Sequence, residues 1–167
     1  MSQITILGLG NLLLKDDGIG PRVVQELQKH GLPPGIDAIE GGGSFYQYFD
    51  VFARSKHILA VDALLGGEPP GTIYLLTPGE ITRKKETGLL RHEDDFLSVL
   101  DIMDYYGLHT EVNIIGIEPK EITYSLNLSP EIAVKLPFIV KTIRGLSKQL
   151  LRNGTFSLHK LLAEMEE

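Results

Sequence analysis

Cysteine is absent from this chain of 167 residues, which removes disulfides, thiolate metal sites and a cysteine nucleophile together. Any metal bound here is held by carboxylate or imidazole. Long apolar runs are missing as well. No stretch of about 18 apolar residues offers a membrane-spanning helix, and the run from Ile4 to Leu9 is too short for a signal-peptide core and follows no basic segment. Positive charge is in deficit: 16 Lys and Arg stand against 22 Asp and Glu, and the densest basic cluster is Arg83-Lys84-Lys85. A net charge of −6 repels a phosphate backbone. These absences predict a soluble, cytoplasmic protein with no nucleic-acid and no membrane partner. A monomer is the simplest expectation for its oligomeric state.

What is present is an ordinary globular composition, 43% hydrophobic and 23% charged, in a chain of one-domain length. A chain of this size buries about 70% of the surface it exposes when unfolded, enough for a real core.

Ile4 to Leu9 is apolar, β-branched and bounded by glycine, and reads as a strand buried on both faces. After the segment Asn11 to Gly20, Pro21 opens a helix that ends at His30-Gly31. Ile36 to Glu40 is a second strand, stopped by Gly41-Gly42-Gly43, and Phe45 to Arg54 an aromatic-rich helix with Phe45, Phe49 and Phe52 on one stripe. His57 to Asp62 is a third buried strand. Gly71 to Leu76 follows too soon for a helical crossover, so it is an antiparallel neighbour or edge strand. A helix ending near Tyr106 and a strand from Glu111 to Ile117 come next. Ser129-Pro130 then starts the longest helix, with Ser129 as its cap, running to about Asn153 with a kink expected at Pro137.

The alternation predicts an α/β fold of the phosphorylase/hydrolase-like kind. Its sheet is open, twisted and mostly parallel, of about five strands, with helices on both faces and one antiparallel edge strand. Residues 1–153 form the single α/β domain, and residues 154–167 a C-terminal tail, helical or disordered.

In such a sheet ligands bind beyond the carboxyl ends of the strands, where the strand order reverses. If strands two and three flank strand one, the loops at that point carry Asp16-Asp17 and Asp62. Neighbouring strands lie about 4.8 Å apart, so these carboxylates can reach a common point. Such a pair repels unless a proton or a cation lies between its members, and a divalent metal would resolve the conflict. Taken singly, each is an ordinary turn or helix-start residue. His92, in a polar segment before a helix, is a third candidate ligand.

Other motifs fail. Leu13 stands where a dinucleotide fingerprint has its third glycine, and no Walker lysine follows Gly41 to Gly43. Phe96 occupies the place of a second zincin histidine after His92-Glu93, and Gly43-Ser44-Phe45 is no nucleophile elbow.

Taken together, Gly8-x-Gly10-Asn11 with Asp16-Asp17-Gly18-Ile19-Gly20, Glu40-Gly41-Gly42, Val61-Asp62-Ala63, His92, Gly116-Ile117-Glu118-Pro119 and Leu128-Ser129-Pro130 resemble the nickel-iron hydrogenase maturation endopeptidases. The resemblance spans roughly residues 3–150. It implies removal of a C-terminal extension from the hydrogenase large-subunit precursor once nickel has been inserted. It implies too that Asp17, Asp62 and His92 contact that nickel as the catalytic and metal-binding residues, while Glu40, Gly41 and Gly42 line the cleft. The nickel belongs to the substrate and is no resident cofactor. Relatives often carry Glu, one methylene longer, where Asp17 stands. Three protein ligands leave positions on nickel for the substrate's own groups. The metal can act as Lewis acid or water activator, or as a recognition point beside a carboxylate base. A peptidase with a metal of its own and a non-cutting checkpoint protein are the competing readings.

Overall fold

The computed structural model describes residues 4–41, 45–80, 93–155 and 157–166. Strands β1 (Ile4–Gly8), β2 (Ile36–Glu40), β3 (His57–Ala63), β4 (Ile73–Leu76) and β5 (Glu111–Ile117) form one sheet in the order β2-β1-β3-β5-β4. All pairings are parallel except β4 with β5, so the antiparallel strand lies at the edge. Helices α1 (Ile19–His30), α2 (Phe45–Arg54), α3 (Glu93–Tyr105), α4 (Pro130–Asn153) and α5 (Leu158–Met165) cover it.

Strand side chains alternate between faces, and here both faces are apolar. Ile4, Ile6, Leu59, Val61, Ile115 and Ile117 pack with Val23, Val24 and Leu27 of α1 and Ile139, Ile143 and Leu146 of α4. Leu7, Ile58, Ala60 and Ile114 pack on the other side with Val51 and Phe52 of α2 and Phe96, Val99 and Met103 of α3. Burial on both faces is why β1 and β3 read as unbroken apolar runs, with every residue of each buried. On α2 the buried set is Tyr48, Val51 and Phe52, with Phe49 on the exposed side. The stripe is turned about one residue from the expected one, because the Tyr48 and Phe52 rings both pack against Phe96, at centroid distances of 6.1 and 5.9 Å.

Helix α1 begins at Ile19, two residues before Pro21. Proline is tolerated there because its missing N–H belongs to the first turn, where no intrahelical acceptor exists. Helix α4 is a single element of 24 residues that continues through Pro137. The tail contains α5, started by Ser157, whose hydroxyl accepts from Lys160 N–H. Leu161 of α5 packs into the α1–α4 core over Gly145.

Candidate active site

Because β2 and β3 lie on opposite sides of β1, the order reverses between β1 and β3. The chain leaves β1 still tied to β3, with Leu9 N–H donating to Val61 O at 2.8 Å. It turns at Gly10, whose φ is +128°. A Cβ on Gly10 would lie 2.0 Å from the carbonyl oxygen of Asp17 and 3.6 Å from Oδ1 of Asp62. Only glycine fits there, and the same distances show that the Asp17 turn and the Asp62 carboxylate meet across it.

Residues Lys15–Gly18 form a short 3-10 turn leading into α1. Asp17 is 1% exposed. Its Oδ2 accepts from Asn11 N–H at 3.0 Å, and its own N–H donates to Leu14 O at 3.1 Å. A Cβ on Gly20 would come within 2.2 Å of Leu9 O and 2.4 Å of Val61 O. The first turn of α1 therefore abuts the ends of β1 and β3, and its positive dipole end favours negative charge there.

Asp62 lies inside β3, paired with Gly116 of β5 and followed by Ala63, so it is not beyond the strand end as the sequence suggested. Its Oδ1 accepts from Ala63 N–H at 2.8 Å, and the residue is 1% exposed. Glu40 ends β2 opposite Gly8, is exposed, and accepts from Gln25 Nε2 at 2.8 Å. Gly41 N–H donates to Gly8 O at 2.7 Å, holding this corner against the end of β1. The structure thus brings Asp17 and Asp62 together, with Glu40 and Gly41 on the β2 side. His92 and Gly42 lie outside the described residues.

Asp16 is as buried as Asp17 but serves a different set of groups. Its Oδ2 accepts from Lys120 N–H and Glu121 N–H at 2.9 Å and from the Ser129 hydroxyl at 2.7 Å, and its Oδ1 accepts from Ser129 N–H at 2.8 Å. Ser129 stands at the N-cap of α4, yet its side chain makes no cap hydrogen bond, because its hydroxyl is given to Asp16. Beside it, the hydrogen bond and charge of Glu121, 2.6 Å away, raise the affinity of Lys15 for its proton.

Glu118, directly after β5, is a further buried carboxylate. It accepts from Gly66 N–H at 3.0 Å, Glu68 N–H at 2.7 Å and the Tyr74 hydroxyl at 3.0 Å, fixing the loop that follows β3. Burial, reinforced by the hydrogen bond to Glu118, pushes the Tyr74 phenol up to about 12. Sequence reasoning missed both networks. A carboxylate immediately after a buried strand was the available signal for Glu118; for Asp16 it was the doubling of the acid, since two successive side chains in a turn point different ways.

A carboxylate buried beside a helix N-terminus, as Asp17 is, can accept backbone N–H groups, help hold a cation or take a proton from a water molecule.

The hydrogenase maturation protease family matches residues 21–146 of this chain. A Methanocaldococcus jannaschii protein assigned provisionally to the same class is 33% identical over 148 residues, covering 86% of this chain and 95% of that one. The hydrogenase 2 maturation protease of Escherichia coli is 26% identical, over 78% of this chain and 81% of its own length. Among solved structures, the nickel-iron hydrogenase maturation protease HybD of Thermococcus kodakarensis superimposes with a TM-score of 0.67 at 28% identity, covering 86% of this chain and 97% of that chain. The hydrogenase maturating endopeptidase HybD of Escherichia coli shares the fold with a TM-score of 0.75 at 24% identity, over 92% of this chain and 94% of that one. By sequence and by fold alike, the chain belongs to the hydrogenase maturation protease family and is an endopeptidase.

Proposed function

We propose that the protein removes the C-terminal extension of a nickel-iron hydrogenase large-subunit precursor after nickel insertion, and that Asp17, Asp62 and His92 contact the nickel carried by that precursor. The observation that supports this most directly is the meeting of Asp17 and Asp62 across Gly10. Two buried carboxylates, one on the turn after β1 and one near the end of β3, favour positive charge beside them, and a substrate-borne metal supplies it only when the correct precursor is docked. Nickel accepts carboxylate and prefers imidazole, which gives His92 its place in the set.

The reaction adds water across one peptide bond. The hydroxyl goes to the acyl carbon, which becomes the new C-terminus of the large subunit, and a proton goes to the departing amine. A carboxylate of the site takes the proton from water and passes it on, while the substrate's nickel either polarises the reacting groups or fixes their position. Glu40 and Gly41, at the end of β2, would bind the precursor segment together with Gly42. A monomer acting in the cytoplasm completes this reading, in keeping with the described residues, none of whose helices is long and apolar enough to cross a membrane.

The test is incubation with nickel-loaded and nickel-free precursor, read by mass spectrometry, beside Asp17→Ala, Asp62→Ala and His92→Ala. Cleavage of the loaded form alone, lost in all three variants, is expected. Equal cleavage of the nickel-free form would remove nickel recognition from the mechanism, and full activity in all three variants would remove the site. A stoichiometric ion in the purified enzyme would favour a resident metal.

A further inference from the structure

We infer that Asp16 is a positioning residue for the cleavage reaction, setting where the Asp17 carboxylate stands relative to Asp62; this rests on the function proposed above. Asp16 and Asp17 are consecutive in one 3-10 turn, so a rotation of that turn moves both. The turn is held from one side by Asn11 N–H on Asp17. From the other side it is held by the four hydrogen bonds that Asp16 accepts from Lys120, Glu121 and Ser129. Backbone bonds follow the same seam: Lys15 N–H donates to Ser125 O at 3.0 Å, and Ser125 N–H to Leu13 O at 2.9 Å.

The segment that receives Asp16 is continuous with Glu118, whose side chain fixes residues 66–68 beyond Asp62. The Asp17 turn and the Asp62 loop are therefore both referenced to one stretch of chain, residues 118–129. Every group that faces Asp16 is a donor, so both of its oxygens must accept. The amide introduced by Asp16→Asn would turn its NH2 towards a donor whichever way it flipped. Displacement of a catalytic group by about 1 Å can cost on the order of 10²-fold in rate, which is how a residue that touches no substrate controls turnover.

The experiment measures cleavage of nickel-loaded precursor by the full chain, with kcat and KM separated, and amide hydrogen exchange of residues 11–18. Asp16→Asn is expected to lower kcat by roughly tenfold or more, to change KM by less than about twofold, and to speed exchange at Asn11 and Asp17. Ser129→Ala, which removes one of the four bonds, is expected to lower kcat about threefold, and Ser129→Thr to restore it. Leu150→Ala, at the opposite end of the sheet, serves as the control for lost stability alone and is expected to leave kcat unchanged. Wild-type kcat in Asp16→Asn would overturn the inference. So would equal behaviour of Ser129→Ala and Ser129→Thr, a comparison that decides the matter even if Asp16→Asn does not fold. Failure of the wild-type enzyme to cleave the precursor would instead overturn the proposed function.

Discussion

The two ends of the sheet bury polar groups of different kinds. At the amino end the groups are neutral or weakly basic and satisfy one another. Thr5 and Ser55 share a hydroxyl hydrogen bond of 2.6 Å, His57 Nε2 lies 2.8 Å from Asn113 Oδ1, and the Thr110 hydroxyl donates to Phe52 O and Ser55 O. At the carboxyl end the buried groups are carboxylates: Asp16, Asp17, Asp62 and Glu118, the four buried acids among the described residues. A buried ionised group is costly unless donors or a counter-charge face it, so their collection at one end needs a reason. Two of the four, Asp16 and Glu118, spend themselves on backbone N–H and hydroxyl groups and fix loops. The other two lie beside the switch point, Asp17 on the turn after β1 and Asp62 near the end of β3. The amino end is closed by neutral hydrogen bonding, whereas the carboxyl end collects the buried acids, and on the proposed function it is this end that meets the precursor.

The largest test of that contrast is removal of charge without loss of shape. Asp17→Asn and Asp62→Asn are each expected to slow precursor cleavage by roughly 10²- to 10⁴-fold, the range for a positioned acid–base group, in a mass-spectrometric time course, with the folded state retained by circular dichroism. Next in size is Asp16→Ala. It leaves the part-buried N–H groups of Lys120 and Glu121 and the buried N–H and hydroxyl of Ser129 without their acceptor, and at roughly 1–3 kcal/mol for each fully buried group, with water reaching the others, a loss of about 3 kcal/mol is expected in urea unfolding.

A subtler difference concerns pH. Tyr74 is held neutral beside Glu118, with its phenol raised from 10.0 to about 12. A pKa raised in this way contributes stability that is complete below the unfolded-state value near 10 and lost as pH rises towards 12, because the unfolded chain releases that proton first. Stability should therefore fall across that alkaline window. Glu118→Gln should bring the Tyr74 transition, followed by phenolate absorbance, back towards its ordinary value. The smallest effect belongs to the amino end: Thr5→Val with Ser55→Ala replaces a paired set of hydroxyls by apolar groups of similar shape, and should change stability by less than about 1 kcal/mol and leave cleavage untouched. A large loss of activity there would erase the distinction between the ends.

The strands, the reversal between β1 and β3 and the antiparallel edge were legible because buried strands leave apolar runs and a short connection excludes a crossover. The placement of the Asp17 turn beside the end of the Asp62 strand was legible because the switch point follows from strand order alone. Asp16 was not. Three of the four groups that bind it are backbone amides of Lys120, Glu121 and Ser129, and a backbone amide has no residue type to read. Ser129 had the signature of a helix cap and occupies that position, yet its hydroxyl serves a tertiary contact that local pattern cannot anticipate. The start of α1 was misplaced for a related reason. Gly20 is helical although glycine is a poor helix former, because it is wedged against the ends of β1 and β3, and Ile19 before it is buried in the core.

The tie between Asp16 and Ser129 spans 113 residues of sequence, and this has a kinetic meaning. Contacts of such long separation form late, since the loop must close before the bond rewards it. At a synthesis rate of roughly 5–20 residues per second, a nascent chain that has already made β1 and its turn waits on the order of 6 to 23 seconds before Ser129 is even added. The corner that holds Asp16 is thus completed only when the last third of the chain closes over the first.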